Sequence, residues 1–186
     1  MISRRSVEAT EQKLDGRTLA GYAAVYGQDS REIVEGGRKF TERIAPGAFN
    51  ETLASGADVK LYYNHDASMP LARTKSGTLT LDSRADGLHY TATLPETTLG
   101  NDVRTLLERG DLTGEMSFGF YVERDTWNAK RTERRIESAR LVEISLVQDP
   151  AYDLTSSSLR CVNAAFTDAV AARLELHIRR LKLWNT

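Results

Sequence analysis

The sequence predicts a mainly β domain with peripheral helices, an α+β fold in which strands dominate. Short runs of alternating or strand-favouring residues recur through most of residues 18–147. Turn-forming residues separate these runs, most clearly the hairpin signal Asp86-Gly87. Helix start and stop signals mark two short segments between the strands, and an apolar stripe marks a third segment near the C-terminus.

Composition sets broad limits on what the protein does. The chain has 186 residues, of which 40% are apolar and 27% charged, as in an ordinary globular protein with a buried core. Its formal net charge of -1 gives no global attraction to nucleic acid or to a membrane surface. The N-terminus lacks the apolar segment of a signal peptide and no run approaches 18 apolar residues, so we expect a cytoplasmic setting.

Seven segments have the composition of strands: residues 18–27, 38–44, 59–64, 78–81, 88–94, 116–122 and 136–147. Gly27 opens a turn after the first segment, and Asp86-Gly87 joins the fourth and fifth as a hairpin. Pro150 ends the last segment. The charged residues 123–135 predict a hairpin or a mobile loop between the two longest strands.

Helices are predicted between these strands and after them. One begins near Pro46 and ends at Gly56, and another spans about residues 98–110. The predicted organisation is a domain at residues 1–153, a polar linker at 154–163 and a C-terminal amphipathic helix at 164–186. The apolar stripe of that last helix consists of Phe166, Val170, Leu174, Ile178 and Leu181.

Ser117 is a candidate nucleophile inside a strand. Met116, Phe118 and Phe120 share one face of this strand, and Ser117 and Gly119 share the other. The missing side chain of Gly119 would leave open space beside the hydroxyl for an approaching substrate backbone. The alternative is an ordinary sheet serine beside a glycine that relieves crowding.

His65 and Glu143 are candidates for the base and for the group that orients it. His65 lies where a strand ends, ahead of Asp66, and an imidazole there could reach across a cleft; the alternative is a surface or hydrogen-bonded loop histidine. Glu143 shares a strand face with Leu141, Ser145 and Val147, where a carboxylate requires a partner. That partner is a histidine in the catalytic interpretation, or Arg140 or an arginine of residues 124–135 in the structural one.

Other site types find little support. The basic side chains of the 124–135 segment alternate with acidic ones, which favours a solvated hairpin over a nucleic-acid site. Cys161 is the single cysteine, so it supports neither a disulfide framework nor a cysteine zinc site. Neither a glycine-rich phosphate loop nor an HExxH motif occurs, and we expect no cofactor.

Several motifs in order along the chain resemble a known family. They are GYAAVY at residues 21–26, IAPGAF at 44–49, YNHD at 63–66, PLAR at 70–73, MSFGF at 116–120, EISLV at 143–147 and PAY at 150–152. Together they resemble the tailed-phage prohead maturation serine proteases, the phage relatives of herpesvirus assemblin. The resemblance covers residues 18–153.

The resemblance implies a closed or partly closed, assemblin-like β-barrel of about seven strands. It implies a catalytic order of histidine, serine and an acidic residue, which falls on His65, Ser117 and Glu143. Asp66 stays open as an alternative third member. Assemblins use a second histidine in that role, but the single histidine after Ser117 is His177 in the predicted C-terminal helix.

The resemblance also implies a biological role. It implies a serine endopeptidase that acts inside the immature phage shell, in the host cytoplasm. Its substrates would be the scaffold protein, or a scaffold-like segment of the major capsid protein, and the protease itself. A homodimer is a further expectation, whereas nucleic acid and membrane are not expected as partners. The alternatives are a non-catalytic capsid scaffold with a protease-like barrel and, against the charge argument, a small nucleic-acid-binding barrel.

Overall fold

The computed structural model describes residues 2–7 and 12–148 of the chain. The elements in this part are β1 (Ser3–Val7), β2 (Lys13–Asp15), β3 (Thr18–Val25), β4 (Ile33–Glu35), β5 (Arg38–Ile44), α1 (Asn50–Ala54), β6 (Lys60–Tyr63), β7 (Asp66–Arg73), β8 (Leu79–Ser83), β9 (Gly87–Thr93), α2 (Thr98–Arg109), β10 (Met116–Trp127) and β11 (Glu133–Leu146). The linker and the C-terminal helix predicted from the sequence lie outside the described residues.

The strands form two sheets. Seven strands make the first sheet, which runs β1-β10-β11-β5-β4, with β6 beside β11 and β7 beside β6. The second sheet has the order β2-β3-β9-β8. The mainly β prediction with few helices is confirmed, but the predicted closed barrel is wrong: within residues 2–7 and 12–148 the strands do not close on themselves. The sheet branches at β11 instead, because β5 and β6 both pair with it in parallel.

The core contains side chains from both sheets and both helices. Phe49, just before α1, has its ring centroid 5.8 Å from that of Phe118 and 6.2 Å from that of Phe120. The predicted inner face of the 88–94 strand is buried, since Leu88, Tyr90, Ala92 and Leu94 are at most 1% exposed. This core packs against one face of β10, and Ser117 lies on the other face.

A β-bulge in the β10–β11 hairpin places Leu141 on a different strand face from the one predicted. Gly119 pairs with Glu143 and Phe120 pairs with Leu141, so Val142 is the extra residue of the bulge. The bulge turns Leu141 to the core face of Phe120, whereas strict alternation places it on the face of Glu143. The 123–135 segment continues this hairpin rather than forming a loop, because both strands extend through most of it.

The two helices agree in part with their predicted bounds. In α2 the Thr97 side chain accepts a hydrogen bond from the Gly100 N–H, and Gly110 ends the helix in the left-handed region. Helix α1 begins only at Asn50. Gly47 has a φ of 77°, which is outside the helical range, so Pro46 belongs to a preceding turn. Among the described helices, none has the length and apolar character to cross a membrane.

Candidate active site

His65 lies in a two-residue turn that joins β6 to β7. Tyr63 pairs with Asp66 across the turn, and Asn64 and His65 have φ values of 50° and 59°. Two successive residues in the left-handed region form the turn type that suits the twist of a hairpin. The segment after His65 is strand β7.

Asn64 fixes this turn to the end of β11. Its backbone N–H donates to the Leu146 carbonyl at 2.9 Å, and its side-chain Oδ1 accepts from the Gln148 N–H at 2.9 Å. Together with the parallel pairing of β6 and β11, these bonds place His65 beside Glu143.

Glu143 is the buried partner of His65. The distance from His65 Nδ1 to Glu143 Oε1 is 2.7 Å, and the Glu143 side chain is only 6% exposed. The Ser145 hydroxyl donates to Glu143 Oε2 at 2.5 Å, and Arg4 Nε donates to Oε1 at 3.4 Å. Both carboxylate oxygens therefore have hydrogen-bond donors, as a buried charge requires.

These contacts determine the ionisation of the pair. Burial raises the pKa of the Glu143 carboxyl, but the hydrogen bond and charge of His65, aided by Ser145 and Arg4, outweigh burial and hold this pKa below its ordinary value. An ionised carboxylate only accepts hydrogen bonds, so His65 Nδ1 must carry the donated proton. In a neutral imidazole the other ring nitrogen, Nε2, is then free to accept a proton.

Gly119 provides the space that the Glu143 carboxylate fills. A Cβ atom added at Gly119 would lie 2.8 Å from Glu143 Oε1 and 3.1 Å from its Cγ. The sequence suggested that this gap admits a substrate backbone, but in the structure the space belongs to the carboxylate.

Ser117 lies on the same face of the sheet as this pair. It is directly opposite Ser145 on β11, just as Gly119 is opposite Glu143. Ser117 and Glu143 are thus diagonal neighbours, a relation that separates side chains by about 7–8 Å. The Ser117 hydroxyl donates to the Arg5 carbonyl of β1 at 2.9 Å, and the residue is only 1% exposed. Within the described residues, His65 makes no hydrogen bond to Ser117.

Two alternatives raised from the sequence have other roles in the structure. The Asp66 Oδ1 accepts from the Ser68 N–H at 2.8 Å and from its hydroxyl at 2.6 Å, and these bonds hold the pKa of Asp66 below its usual value. Arg140 forms an ion pair with Glu123 at 3.8 Å and lies 4.7 Å from the Tyr121 ring centroid. The structure thus brings His65 to Glu143, with Asp66 and Arg140 engaged elsewhere.

Arg4 and Ser145 contact Glu143 but were not predicted as site residues from the sequence. Arg4 is distant from Glu143 in the chain and nothing local signals their contact. Ser145 could have been found from its alternation with Glu143 on the same strand face. In the described part of the chain, no group of three or more histidine, cysteine, aspartate or glutamate side chains is arranged to hold a metal ion.

Comparison with known proteins agrees with this architecture. The model of the Caudovirus prohead serine protease family matches residues 3–169. In three dimensions the chain is similar to the bacteriophage T4 capsid assembly protease gp21, with a TM-score of 0.51 and 10% identity over 80% of this chain and 98% of that chain. At this identity the likeness concerns the fold alone. No curated protein matches the chain in sequence.

The family match spans most of the chain, including β1, the His65 turn and both strands of the β10–β11 hairpin. The resemblance drawn from the sequence motifs is therefore confirmed. The chain belongs to the Caudovirus prohead serine protease family.

Proposed function

We propose that the protein is a serine endopeptidase with Ser117 as nucleophile, His65 as general base and Glu143 as the group that orients His65. The single observation that carries this proposal is the 2.7 Å bond between His65 Nδ1 and the buried Glu143, in a member of a serine protease family. A histidine oriented by a buried carboxylate is the arrangement that activates a serine.

The reaction follows from these roles. Ser117 Oγ bonds to the carbonyl carbon of the substrate while its proton moves to His65 Nε2. Glu143 stabilises the imidazolium that forms. His65 then gives the proton to the leaving amine as the peptide C–N bond breaks. Water, activated by the same imidazole, hydrolyses the acyl-enzyme and regenerates the Ser117 hydroxyl.

The proposed setting is the immature capsid of a tailed phage, in the cytoplasm of the host. The proposed substrates are the scaffold protein or a scaffold-like segment of the major capsid protein, together with the protease itself. The family supports this setting, since its members are prohead proteases, and the T4 protein of similar fold is a capsid assembly protease.

A matched pair of serine variants tests the nucleophile. Ser117 and Ser145 face each other across β10 and β11, and both are buried. We expect Ser117→Ala to abolish cleavage, a loss on the order of a thousandfold or more. Ser145→Ala should keep measurable turnover, reduced about tenfold by the lost hydrogen bond to Glu143. The measurement is the intact mass of each purified protein over time, alone and with capsid and scaffold proteins added.

Cleavage that persists in Ser117→Ala while Ser145→Ala is inactive would make Ser145 the nucleophile in place of Ser117.

The alternative function is a non-catalytic capsid assembly protein. One observation favours it, because the Ser117 hydroxyl is covered and bonded to the Arg5 carbonyl instead of His65. Unchanged masses of wild type and of both serine variants, with every added substrate, would support that alternative.

A further inference from the structure

Strand β1 occupies the outer edge of the strand that carries Ser117. The two strands are antiparallel, with Ser6 opposite Ser117, Arg5 opposite Phe118 and Arg4 opposite Gly119. The inner edge of β10 is already paired with β11. An extended peptide that added a strand to β10 would therefore have to take the place of β1.

The Arg5 carbonyl lies where a serine nucleophile would meet a peptide bond. Its oxygen accepts the Ser117 hydroxyl hydrogen bond at 2.9 Å. In an attacking arrangement the hydroxyl proton points to the histidine and a lone pair of the oxygen faces the carbonyl carbon. Here the proton points to the carbonyl oxygen instead, so the bound segment is held in an unreactive arrangement that covers the hydroxyl.

The Arg5 side chain fills a charged site beneath this segment. Its Nε and Nη2 donate to the two oxygens of Glu42 at 2.8 and 3.2 Å, and the Glu42 side chain is only 1% exposed. Arg134 donates to the same carboxylate at 3.2 Å, and the Arg5 guanidinium lies 5.9 Å from the Phe120 ring centroid. A buried carboxylate with two-point contact is a strong and specific site for a basic side chain.

Polar contacts, rather than the core, hold residues 3–6 of β1. None of these four residues belongs to the hydrophobic core cluster. Apart from its pairing with β10, the segment is held by Arg5 on Glu42 and by the half-exposed Arg4 on Glu143. An incoming segment can remake backbone and charge contacts of this kind, so residues 3–6 can be exchanged at low cost in free energy.

We infer that β1 occupies the position in which a substrate strand binds. In this inference, which rests on the proposed function, a substrate segment pairs with β10 in place of β1. A basic residue then occupies the position of Arg5, Glu42 binds its side chain and its carbonyl meets Ser117. The substrate class is thus an extended peptide cleaved after arginine or lysine.

Release of β1 is tested first in the full-length chain. Arg5→Ala removes the contact with Glu42, so β1 should leave β10 more often and expose Ser117. The rate of covalent labelling of Ser117 by a fluorophosphonate probe should rise about tenfold, since a hydrogen-bonded charge pair is lost. Arg109→Ala is the matched control, because this exposed arginine pairs with Asp111 outside the site. Equal labelling of wild type and Arg5→Ala would overturn the covering role of β1.

The role of Glu42 is tested by two measurements that should respond differently, the labelling rate of Ser117 and the preference for arginine in peptide substrates. Glu42→Gln should also speed labelling, because Arg5 loses its partner. The preference for peptides with arginine over glutamine before the cleaved bond should fall from about 100-fold in wild type to below about 10-fold in Glu42→Gln. Arg5→Ala should keep the full preference, and a thermal melt of each variant checks that it folds. An unchanged preference in a folded Glu42→Gln protein would overturn the specificity assignment.

A binding measurement separates failure of this inference from failure of the proposed function. If Ser117 is not labelled in any of the proteins, the serine protease assignment is wrong, because the probe requires no basic residue. Whether a peptide can replace β1 is then measured by fluorescence anisotropy. A labelled peptide with the sequence of residues 2–7 is titrated with the full-length Arg5→Ala protein. Binding of this peptide but not of one with glutamate in place of Arg5 supports the inference. Binding of both peptides, or of neither, would overturn it.

Discussion

Gly119 and Glu143 act as one unit at the scale of single residues. The carboxylate accepts hydrogen bonds from His65, Ser145 and Arg4, and the absence of a Cβ at Gly119 provides the space that it fills. A buried carboxylate held in this way presents a fixed acceptor to His65, which keeps the imidazole in one tautomer. A glycine is therefore required at position 119 because the Glu143 side chain packs closely against the backbone there. Its φ is not in the left-handed region.

Substitution of Gly119 should harm the site more than the fold. In Gly119→Ala the new Cβ would lie 2.8 Å from Glu143 Oε1, so the carboxylate must move away from His65. We expect a loss of roughly 100-fold in kcat/KM from misplacement of the base, with a loss of about 1–3 kcal/mol in the free energy of unfolding.

The control is Gly21→Ala, another glycine inside a strand, whose added Cβ comes no closer than 3.3 Å to its neighbours. Peptide hydrolysis and urea unfolding of both variants check this prediction. Full activity in Gly119→Ala would mean that the position of the carboxylate does not matter for turnover.

At the scale of elements, a hairpin turn and a bulge aim the two charged side chains at each other. The Asn64-His65 turn holds both residues in the left-handed region, which is uncommon for residues other than glycine. The bulge at Val142 lets β11 present Glu143 to the site and Leu141 to the core. Backbone conformations of this kind are kept where the surrounding structure enforces them, often at functional sites.

Two variants of His65 separate backbone strain from chemistry. His65→Ala and His65→Gly both remove the imidazole, so both should be inactive. Glycine adopts the φ of 59° without the steric cost that alanine retains. We expect His65→Gly to be about 1 kcal/mol more stable than His65→Ala in urea unfolding. Equal stability of the two would show that the turn relaxes when the histidine is lost, and activity in either would exclude His65 as the base.

At the scale of the whole molecule, the long strand β11 connects the parts of the site. It pairs with β10, which carries Ser117, and with β6, whose turn carries His65, and it carries Glu143 itself. The folded state thus creates the interaction that keeps Glu143 ionised, and that interaction is absent when the chain unfolds. Stability should therefore depend on the pH range in which Glu143 titrates.

The sign of this dependence follows from the depressed pKa of Glu143, which lies below its ordinary value of 4.5 in the folded state. Such a group contributes stability that is fully present above the unfolded pKa and is lost as the pH falls through the folded pKa. The stability of wild type relative to Glu143→Gln should therefore fall as the pH drops below about 5.

Urea unfolding between pH 3 and 7 measures this difference. Glu108→Gln is the control, because this exposed residue forms a surface ion pair with Arg104 within α2. Its difference from wild type should change much less over the same range. A stability difference for Glu143→Gln that is the same at pH 3 and pH 7 would contradict the depressed pKa.

Much of the strand pattern could be predicted from the sequence. Strand-favouring composition, alternation and turn signals identified β3, β5, β6, the β8–β9 hairpin and the two long strands, because these strands carry many core side chains. Strand β1 was not predicted, since Ser3, Arg4, Arg5 and Ser6 bury no apolar face and owe their conformation to β10. Propensity carries no signal for a strand whose stability comes from its partner.

Local motifs and patterns along single strands were enough to predict the family, the mainly β class and the three residues proposed for catalysis. Three further features arise from the folded chain: His65 meets Glu143 rather than Asp66, Gly119 makes room for a carboxylate, and β1 covers Ser117. Each of these depends on pairing between segments far apart in the chain, and no local pattern specifies the register of such a pairing.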